Sequence, residues 1–487
     1  MRRGQKILLG LIPAVLFLLL LGRSATDWKG RIAGLKKTVP RDYEAYCTEE
    51  TSAALSRALA DADAALEGGA ADPGALVSAL SDSIRGLEYR WDSEIPQVYL
   101  STDDGSGRPY GTSLDKSHGY VPAQITVVDE QGKVIASETG WDAAVRVRGN
   151  TTAQGEKKPY NIRFSAARDL FGLGEARRWV LLADLYDPTL MRNVLALDFG
   201  KYLGVHASPD FQRVEVWMDG VYRGLYLLTE KIEKGRDRVD LITKKGSGDF
   251  LAEMVYAELR EEGNTYFFTS SGKCFRLREP EDVSAAKLSL IAGEMDDLEA
   301  VLASGDWKLV SGTIDVDSFV SHYIQNEFFK TTDFSSTSVY FHRMGGRYYG
   351  GPGWDFDLSA GNCSAKIYGE EMASPEGAAA ADCHYYADLM RYPEFRERVR
   401  EKYLEAKAYI AGLYRAGGLI DQQAEKYGGA IARNNEVWFR GKKGYIKWQK
   451  KPEATYGENL EYLREWMKQR DLWLTDYFES LGEKGGA

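Results

Sequence analysis

The chain is poor in the residues that build common metal and nucleophile sites. It has four cysteines and five histidines among 487 residues. The cysteines show no Cys-x-x-Cys spacing, so a structural zinc site is disfavoured. The histidines form no His-Glu-x-x-His motif and no triad spacing, which argues against metalloprotease and serine-hydrolase chemistry. We expect buried or free thiols, and the alternative is a bridge between Cys363 and Cys383.

The chain also has fewer basic than acidic residues. The formal net charge is −10 and the isoelectric point is about 5.3. Long-range electrostatics therefore disfavour a nucleic-acid partner. Phosphate groups or metal-bound ligands would have to be held by local clusters of basic residues.

A long apolar run stands at the amino terminus, at residues 7–22. It follows a positively charged start, which is typical of a signal sequence or a short membrane anchor at 1–27. The run is slightly short for a membrane span, but no clean small-x-small cleavage site follows it. We therefore expect an uncleaved anchor, with the remainder of the chain exported to the cell surface.

Residues 28–92 are rich in alanine and leucine at helical spacing. Thr48 is a candidate helix cap, Gly-Gly-Ala-Ala-Asp-Pro-Gly breaks the pattern, and a second helix is predicted at about 75–87. The segment resembles the FIVAR module, a small helical bundle of secreted bacterial wall-associated proteins. The alternative is a plain helical stalk.

The pattern changes to short alternating runs at 93–280, which predicts a sheet-rich region. A helix is predicted from Asp187 and Pro188 to Gly204, and a hairpin turn at Asp219-Gly220. Beyond this region the pattern is mainly helical as far as residue 480, and 481–487 is a frayed tail. The later predicted helices are at 281–304, 316–330, 393–414, 418–437 and 456–480.

Three aspartates surround a predicted β-hairpin. Residues 337–351 read as two strands joined by a tight turn at 344–346, a register that places Asp333 opposite Asp355 at the open end. Opposed strand residues lie roughly 5 Å apart, and carboxylates that close repel unless they share a proton or a divalent cation. With Asp357 close by, this pattern favours a hard cation such as Mg²⁺. The alternative is that each aspartate only caps a turn.

The segment 146–164 places a small polar loop between two strands. Its glycines allow close backbone approach and Thr151 adds a hydroxyl, so the loop is suited to phosphate oxygens. Arg148 precedes the loop, and Lys158 follows it on the predicted inward face of the second strand. A buried ammonium needs an anionic partner, for which Glu230 is the candidate, unless the lysine extends to the sheet edge.

Six blocks resemble the CotH family of spore coat protein H kinases, which are divergent relatives of protein kinases. The resemblance covers roughly residues 95–480 and implies an α+β, divergent protein-kinase-like two-lobed fold. In this fold 93–280 is the sheet-rich lobe, 281–480 is the helical lobe and ATP lies between them. The matching blocks are RGNTT (148–152), KKPYNIRF (157–164), RRWVLLADLYDPTLMRN (177–193), DGVYRGLYLLTEKI (219–232), NEFFKTTDFSSTS (326–338) and GGPGWDFDLSAGN (350–362).

The resemblance also implies a role for several residues. Lys158 would steady the nucleotide phosphates with Glu230 as its partner, and Asp333 would accept or orient the proton of the acceptor hydroxyl. Asp355 would bind the metal, Mg²⁺ or Mn²⁺. The remaining implied site residues are Arg148, Asn150 and Thr151 for the nucleotide, and Asp357 and Asn362 for the metal.

The sequence departs from the kinase pattern at one important position. A kinase-type catalytic loop supplies asparagine five residues after its aspartate, whereas this chain has Ser338. Serine is a poorer metal ligand, so a second metal would need Asn362 or Asp357 in its place. The ordinary kinase motif His-Arg-Asp is absent from the sequence.

Three functions therefore compete. The first is an exported, membrane-tethered kinase that transfers phosphate from ATP to a hydroxyl on a protein, with a surface or coat protein or a glycan as the contact. The second is a cell-surface binding protein that keeps the kinase-like fold without catalysis. The third takes Asp355 and Asp357 as the motif of a metal-dependent glycosyltransferase, which leaves the RGNTT and KKPY blocks unexplained.

Overall fold

The computed structural model describes residues 27–40, 43–88, 95–241, 248–439 and 446–483. The apolar run at 7–22 lies outside these ranges, so its assignment as an anchor or signal stays a prediction. Among the helices in the described ranges, none is long and apolar enough to cross a bilayer.

The described residues form a mixed α+β structure, which confirms the predicted class. The α-helices are α1 (Trp28–Lys36), α2 (Tyr43–Tyr46), α3 (Glu49–Gly68), α4 (Pro73–Arg85), α5 (Arg192–Leu203), α6 (Ala285–Ala303), α7 (Trp307–Thr313), α8 (Val316–Phe329), α9 (Ala365–Tyr368), α10 (Glu370–Ala373), α11 (His384–Leu389), α12 (Pro393–Glu405), α13 (Lys407–Tyr414), α14 (Leu419–Trp438) and α15 (Tyr456–Glu483). The strands are β1 (Gln97–Thr102), β2 (Val121–Val128), β3 (Val134–Val147), β4 (Tyr160–Asp169), β5 (Glu175–Leu182), β6 (Phe211–Met218), β7 (Val221–Glu230), β8 (Phe250–Met254), β9 (Tyr266–Phe268), β10 (Cys274–Glu279), β11 (Val339–Met344) and β12 (Arg347–Gly350).

The first of two compact units contains the described residues up to Leu114, with Tyr120–Val145 and Val216–Tyr222. Strand β2 pairs antiparallel with both β1 and β3. Helices α1, α3 and α4 bury apolar side chains against this sheet, so helices and strands share one core. That core includes Ile32, Leu55, Leu80, Tyr99 and Val128. The resemblance of the helices to a FIVAR module stays a prediction.

Local capping explains where the two main helices of this unit begin. The Thr48 side chain accepts a hydrogen bond from the Thr51 N–H at 3.4 Å, at the start of α3. Asp72 accepts from the Ala75 N–H at 3.0 Å, and Pro73 occupies the first turn of α4. Each cap satisfies a backbone donor that the helix itself leaves free. Both helices were predicted within a few residues.

The second unit contains Asp115–Gly119, Arg146–Glu215 and the described residues from Arg223 onward. Within it, β5 pairs antiparallel with β4 and β7. A five-stranded antiparallel sheet has the order β12-β11-β8-β10-β9. Helix α8 is buried continuously from Ser318 to Phe329, as expected of a central core helix.

A buried ion pair ties α8 to the carboxyl-terminal helix α15. Arg470 and Glu327 have fully buried side chains and approach to 2.5 Å. The Glu327 carboxylate also accepts from the N–H groups of Ala379 and Ala380, both at 2.8 Å. Arg470 donates to the Gly377 carbonyl at 2.7 Å. The pair therefore fixes the irregular segment between α10 and α11 as well as the two helices.

Most predicted helices of this unit are confirmed, with two differences. The predicted helix at 393–414 divides into α12 and α13. Helix α5 begins at Arg192 rather than at Asp187, because the Asp187 carboxylate instead accepts hydrogen bonds within a preceding turn. The predicted turn at Asp219-Gly220 is confirmed, since both residues have positive φ between β6 and β7.

The hairpin of β11 and β12 forms in a different register from the predicted one. Phe341 lies opposite Gly350, whereas the predicted register would place Arg347 there. The turn consists of two residues, Gly345 and Gly346, with φ of 60° and 87°. A two-residue turn with positive φ at both positions fits the strand twist better than the predicted three-residue turn. The predicted register is wrong, and cross-strand pairing does not bring the aspartates together.

Replacement of Arg470 by methionine is expected to lower the free energy of unfolding by about 3–5 kcal/mol, because Glu327 would be left buried without its cation. Arg398→Met is the matched control. Arg398 pairs with Asp317 through side chains that are 48% and 63% exposed, so its loss is expected to cost under about 1 kcal/mol. Denaturant unfolding of the two variants measures the difference, and equal losses would contradict the role given to the buried pair.

Candidate active site

A pocket of about 750 Å³ lies within the second unit. Its walls come from the loop after β3, from β10, from a 3-10 helix at Thr332–Ser335 and from the segment 354–358. Most of the residues expected to form the site meet here. Those lining the pocket are Arg148, Asn150, Thr151, Asp333, Asp355 and Asp357, whereas Lys158, Glu230 and Asn362 are not among its lining residues.

Asp333 is placed by the end of the central helix. Helix α8 stops where Lys330 adopts the left-handed conformation, with φ of 51°. The chain then turns through the 3-10 helix, in which the Asp333 carbonyl accepts from the N–H groups of Ser336 and Thr337, both at 2.9 Å. A rigid core helix therefore delivers the Asp333 carboxylate to the pocket.

Asp355 and Ser338 face each other across the pocket floor in strained backbone conformations. Their φ angles are 68° and 58°, values that residues other than glycine rarely adopt. The Ser338 hydroxyl donates to Asp355 Oδ2 at 3.3 Å. Such strain persists only where the surroundings impose it, and it is concentrated at functional sites.

The three aspartates hold raised pKa values because they are buried beside one another. Burial and the charge of Asp355 raise the pKa of Asp333 to about 7. Burial raises the pKa of Asp355, against the opposing effect of Arg148 and the hydrogen bond from Ser338. The pKa of Asp357 is raised by burial and by the charge of Asp355. The pocket thus concentrates negative charge that a cation would stabilise.

The donor set fits Mg²⁺ or Mn²⁺, since it consists of carboxylate oxygens. Among the residues that the structure describes, no group of three or more Asp, Glu, His or Cys side chains is arranged to hold a metal ion by itself. The aspartates are therefore an incomplete coordination set. Mg²⁺ commonly takes one or two carboxylates and completes its shell with water and substrate phosphates, so an incomplete set of this kind suits it.

The segment that carries Asp355 and Asp357 is held by the start of helix α5. The Asn193 side chain accepts from the Phe356 N–H at 2.9 Å and donates to Asp184 at 2.7 Å. Arg192 donates to the carbonyls of Ser359 at 2.9 Å and Ala360 at 3.2 Å. These contacts join two of the blocks quoted from the sequence. The sequence reasoning gave neither Arg192 nor Asn193 a role.

Arg192 is itself fixed by Asp187. The two side chains form a buried ion pair at 2.6 Å, with 2% and 1% of each side chain exposed. The Asp187 carboxylate also accepts from the N–H groups of Thr189, Met191 and Arg192. The only sequence signal was Asp187-Pro188, which was interpreted as a helix start. In the structure Asp187 is instead the buried partner of Arg192.

The buried lysine is Lys157 rather than Lys158. Lys157 is fully buried and donates to the Leu225 carbonyl at 2.6 Å, whereas Lys158 is partly exposed. Strand β4 begins only at Tyr160, after Pro159, so side-chain alternation does not extend back to the lysines. The prediction that Lys158 points inward is therefore wrong.

Glu230 does not pair with Lys158. It accepts from the Asp210 N–H at 2.8 Å and forms an ion pair with Arg238 at 3.6 Å. Burial raises the pKa of Glu230 to about 7. Burial lowers the pKa of the Lys157 ammonium to about 7, against the opposing effect of the charge of Asp184. The predicted ion pair between Lys158 and Glu230 is therefore absent. Glu230 interacts with Arg238 instead, and the buried lysine, Lys157, interacts with Asp184.

Comparison with known proteins gives the family. The model of the family described as CotH kinase protein matches residues 145–474 of the chain. The chain belongs to the CotH family. One curated relative is Inner spore coat protein H of Bacillus subtilis (strain 168), which is 37% identical over 93 residues, or 19% of this chain and 25% of that protein. The alignment thus spans only a quarter of the length of the relative.

Asn362 lies inside the CotH match but behind the pocket. It is 2% exposed, and its amide donates to the carbonyls of Tyr186 and Asp357, both at 2.7 Å. The amide nitrogen is therefore committed to shaping the backbone that presents Asp357. A metal contact through the amide oxygen of Asn362 stays a prediction.

The CotH-like loop after β3 presents its polar residues to the pocket. Asn150 accepts a hydrogen bond from Lys116 at 2.9 Å. Gly149 has φ of 89°, and a Cβ there would lie 2.0 Å from the Thr152 hydroxyl, so only glycine fits. This observation supports the close loop packing inferred from the sequence. Arg148 lies over the Trp354 ring, 5.3 Å from its centroid.

Sequence reasoning missed the arginines on β10. Arg276 and Arg278 both line the pocket, while the intervening Leu277 is 5% exposed. The alternation of arginine with apolar residues in Cys-Phe-Arg-Leu-Arg-Glu was the available signal, since it places both arginines on one face of a strand. They give this CotH-family pocket a basic side next to its aspartates.

The raised pKa of Asp333 predicts a pH-dependent stability difference. The folded state keeps a proton on Asp333 up to about pH 7, whereas the unfolded state loses it near pH 4, so stability falls as pH rises between these values. Asp333→Asn removes this loss. In the absence of metal the variant is expected to come close to the wild type at about pH 4 and to exceed it by roughly 2–4 kcal/mol at pH 8.

Denaturant unfolding at both pH values measures this effect. Asp297→Asn, at an exposed position of α6, is the matched control and is expected to leave the pH profile unchanged. Parallel profiles for the wild type and Asp333→Asn would show that Asp333 is not the group that titrates.

Proposed function

We propose that this CotH-family chain is a metal-dependent phosphotransferase that moves the terminal phosphoryl group of ATP to a hydroxyl group, with protein serine or threonine as the acceptor. The observation that carries the proposal is the meeting of Asp333, Asp355 and Asp357 with Arg148 in one pocket. Phosphoryl transfer depends mainly on positioning and charge neutralisation, which such a set supplies without a covalent nucleophile.

The proposed step assigns a separate role to each carboxylate. The acceptor oxygen forms a bond to the terminal phosphorus, the bond from that phosphorus to the bridging oxygen breaks, and ADP leaves with the electron pair. Asp333 takes the acceptor proton, for which its pKa of about 7 is suited. Asp355 and Asp357 would hold Mg²⁺ or Mn²⁺, which neutralises phosphate charge when bound.

A divergent kinase-like, two-lobed fold is part of the proposal. The description of the matching family as CotH kinase protein supports it. The distribution of elements supports it as well, because the strands β1–β10 fall before residue 281 and the helices dominate afterwards. ATP would then lie against the sheet-rich part, beside the loop after β3.

The proposed location is the exported side of a bacterial membrane or a spore coat. The support is the apolar run at 7–22 and the name of the relative, an inner spore coat protein. The acceptor would accordingly be a surface or coat protein. A cell-wall glycan contact remains part of the same proposal.

A catalytically inactive binding protein is the second candidate. The observation that favours it is Ser338, whose hydroxyl is bound to Asp355 where a kinase-type loop would supply an asparagine ligand. A metal-dependent glycosyltransferase is the third, and it would use a nucleotide sugar in place of ATP at the same aspartates.

Asp355→Asn tests the proposal. With Mg²⁺ and ATP, the wild-type full chain is expected to gain thermal stability and to transfer labelled terminal phosphate to itself or to serine- and threonine-containing peptides. The variant is expected to lose the metal-dependent gain and to transfer phosphate at least about 100-fold more slowly, since it removes a metal ligand. Melting curves and label incorporation are the measurements.

Asp297→Asn, which makes the same change at an exposed helix position, is the control and is expected to behave as wild type. ATP binding without any transfer would favour the inactive binding protein. Stabilisation by a nucleotide sugar but not by ATP would favour the glycosyltransferase. No response of the wild type to metal with either nucleotide would contradict both enzymatic functions.

A further inference from the structure

Arginines dominate one side of the pocket. Arg276 and Arg278 project from one face of β10, and Arg148 projects from the end of β3. Their charges act on one another, since the positive charge of Arg278 lowers the pKa of both Arg148 and Arg276, in addition to the larger effect of burial. Like charges held this close are unfavourable unless an anion joins them.

The protein supplies only part of the negative charge that these arginines need. Glu253 is taken by Arg278, with a hydrogen bond of 2.7 Å from Nε. The Tyr340 hydroxyl holds the other carboxylate oxygen of Glu253 at 3.0 Å. The ion pair with Glu253 therefore holds the Arg278 guanidinium in place at the side of the pocket. It leaves Arg148 and Arg276 without a carboxylate in direct contact among the described residues.

Arg148 is positioned by stacking rather than by an ion pair. Its guanidinium lies 5.3 Å from the centre of the Trp354 ring and makes no hydrogen bond with a described side chain. Stacking uses the face of a guanidinium and leaves its N–H edge free. Arg276 is oriented differently, by a contact with the Asn264 side-chain oxygen. Both forks are therefore pre-oriented and retain donors.

The acidic and basic groups of the pocket act electrostatically on one another. The charge of Asp355 raises the pKa of Asp333, the charge of Arg148 opposes the raised pKa of Asp355, and the charge of Arg278 lowers the pKa of Arg148. Arg276 and Arg278 lie on the same face of β10 and line the same pocket. The pocket therefore combines carboxylates suited to a cation with arginines suited to an anion. A metal-bound polyphosphate has the same two-part charge, with the cation at one end of a chain of phosphate oxygens.

We propose that Arg148, Arg276 and Arg278 bind the phosphate chain of the donor, so that the pocket selects ligands by their number of linked phosphates. The inference rests on the proposed phosphotransfer, and it replaces Lys158 with arginines as the phosphate-binding cations. Arginine forks match phosphate oxygens bidentately, which a lysine does not.

The test uses the full chain with Mg²⁺ and five probes: inorganic tripolyphosphate, ATP, AMP, adenosine, and sulfate at matched ionic strength. Tripolyphosphate and ATP are expected to bind more tightly than AMP, with adenosine and sulfate weakest. Arg148→Gln and Arg276→Gln are each expected to weaken tripolyphosphate and ATP binding by about 10- to 100-fold and to leave adenosine binding unchanged. Isothermal titration measures the affinities.

Two further variants separate charge, geometry and folding. Arg276→Lys keeps the charge but removes the fork, and is expected to recover only part of the affinity. Arg236→Gln is the control, because its side chain is 86% exposed and lies outside the lining of the pocket. Arg148→Gln breaks no direct ion pair, so it serves as the informative variant if Arg276→Gln does not fold.

Tripolyphosphate affinity within twofold of wild type in both glutamine variants would overturn the inference, as would equal binding of sulfate and tripolyphosphate. Its failure is distinguishable from failure of the proposed function. If the wild type transfers phosphate from ATP and the arginine variants bind ATP normally, the proposed function holds and the arginines do not bind the phosphates. If polyphosphate binding depends on the arginines but no phosphate is transferred, the arginines bind the phosphates and the proposed function is wrong.

Discussion

The buried ion pair between Asp187 and Arg192 is the constraint on which the candidate site depends. Two charges are removed from water, and the cost is offset because nearly every donor and acceptor of the pair is used. Arg192 reaches the carbonyls of Ser359 and Ala360, and its neighbour Asn193 holds the Phe356 backbone. Asp355 and Asp357 thus lie on a segment whose backbone is held at Phe356, Ser359 and Ala360. The strained backbone of Asp355, with φ of 68°, is consistent with this fixation.

Because this segment is held in place, side chains of like charge stay close together in the pocket. The charge of Asp355 raises the pKa of Asp333 and Asp357, and the charge of Arg278 lowers the pKa of Arg148 and Arg276, with burial acting in the same direction on each of these four groups. A mobile loop would relieve this repulsion by moving. A rigid one retains it until ligands of opposite charge arrive, so little reorganisation is needed when a metal and a polyphosphate bind. Because the charged groups are held in place, their arrangement supports the proposed function in addition to the shape of the pocket.

The features that the sequence predicted well are those determined by neighbouring residues. Thr48 and Asp72 cap helices, and Asp219-Gly220 forms a turn, because each depends on chemistry within a few positions. The hairpin register failed because a two-residue Gly345-Gly346 turn and a three-residue turn leave the same local pattern. Lys158 was misplaced because alternation was extended across Pro159, before the strand begins. The contact of Arg192 with Ser359 joins distant segments, and no local pattern signals it.

Ser338 bears on how the pocket would neutralise its ligand. Asparagine at this position would offer a second metal a neutral oxygen, whereas the Ser338 hydroxyl donates to Asp355 and favours its ionised form. With serine in place of asparagine, the site loses a ligand for a second metal. It gains a hydrogen bond that favours the charged form of Asp355. In the proposed reaction this leaves one cation at Asp355 and Asp357. The remaining charge neutralisation then falls to groups outside the metal site, and Arg148, which follows β3, and Arg276 and Arg278 on β10 are the groups in place to supply it.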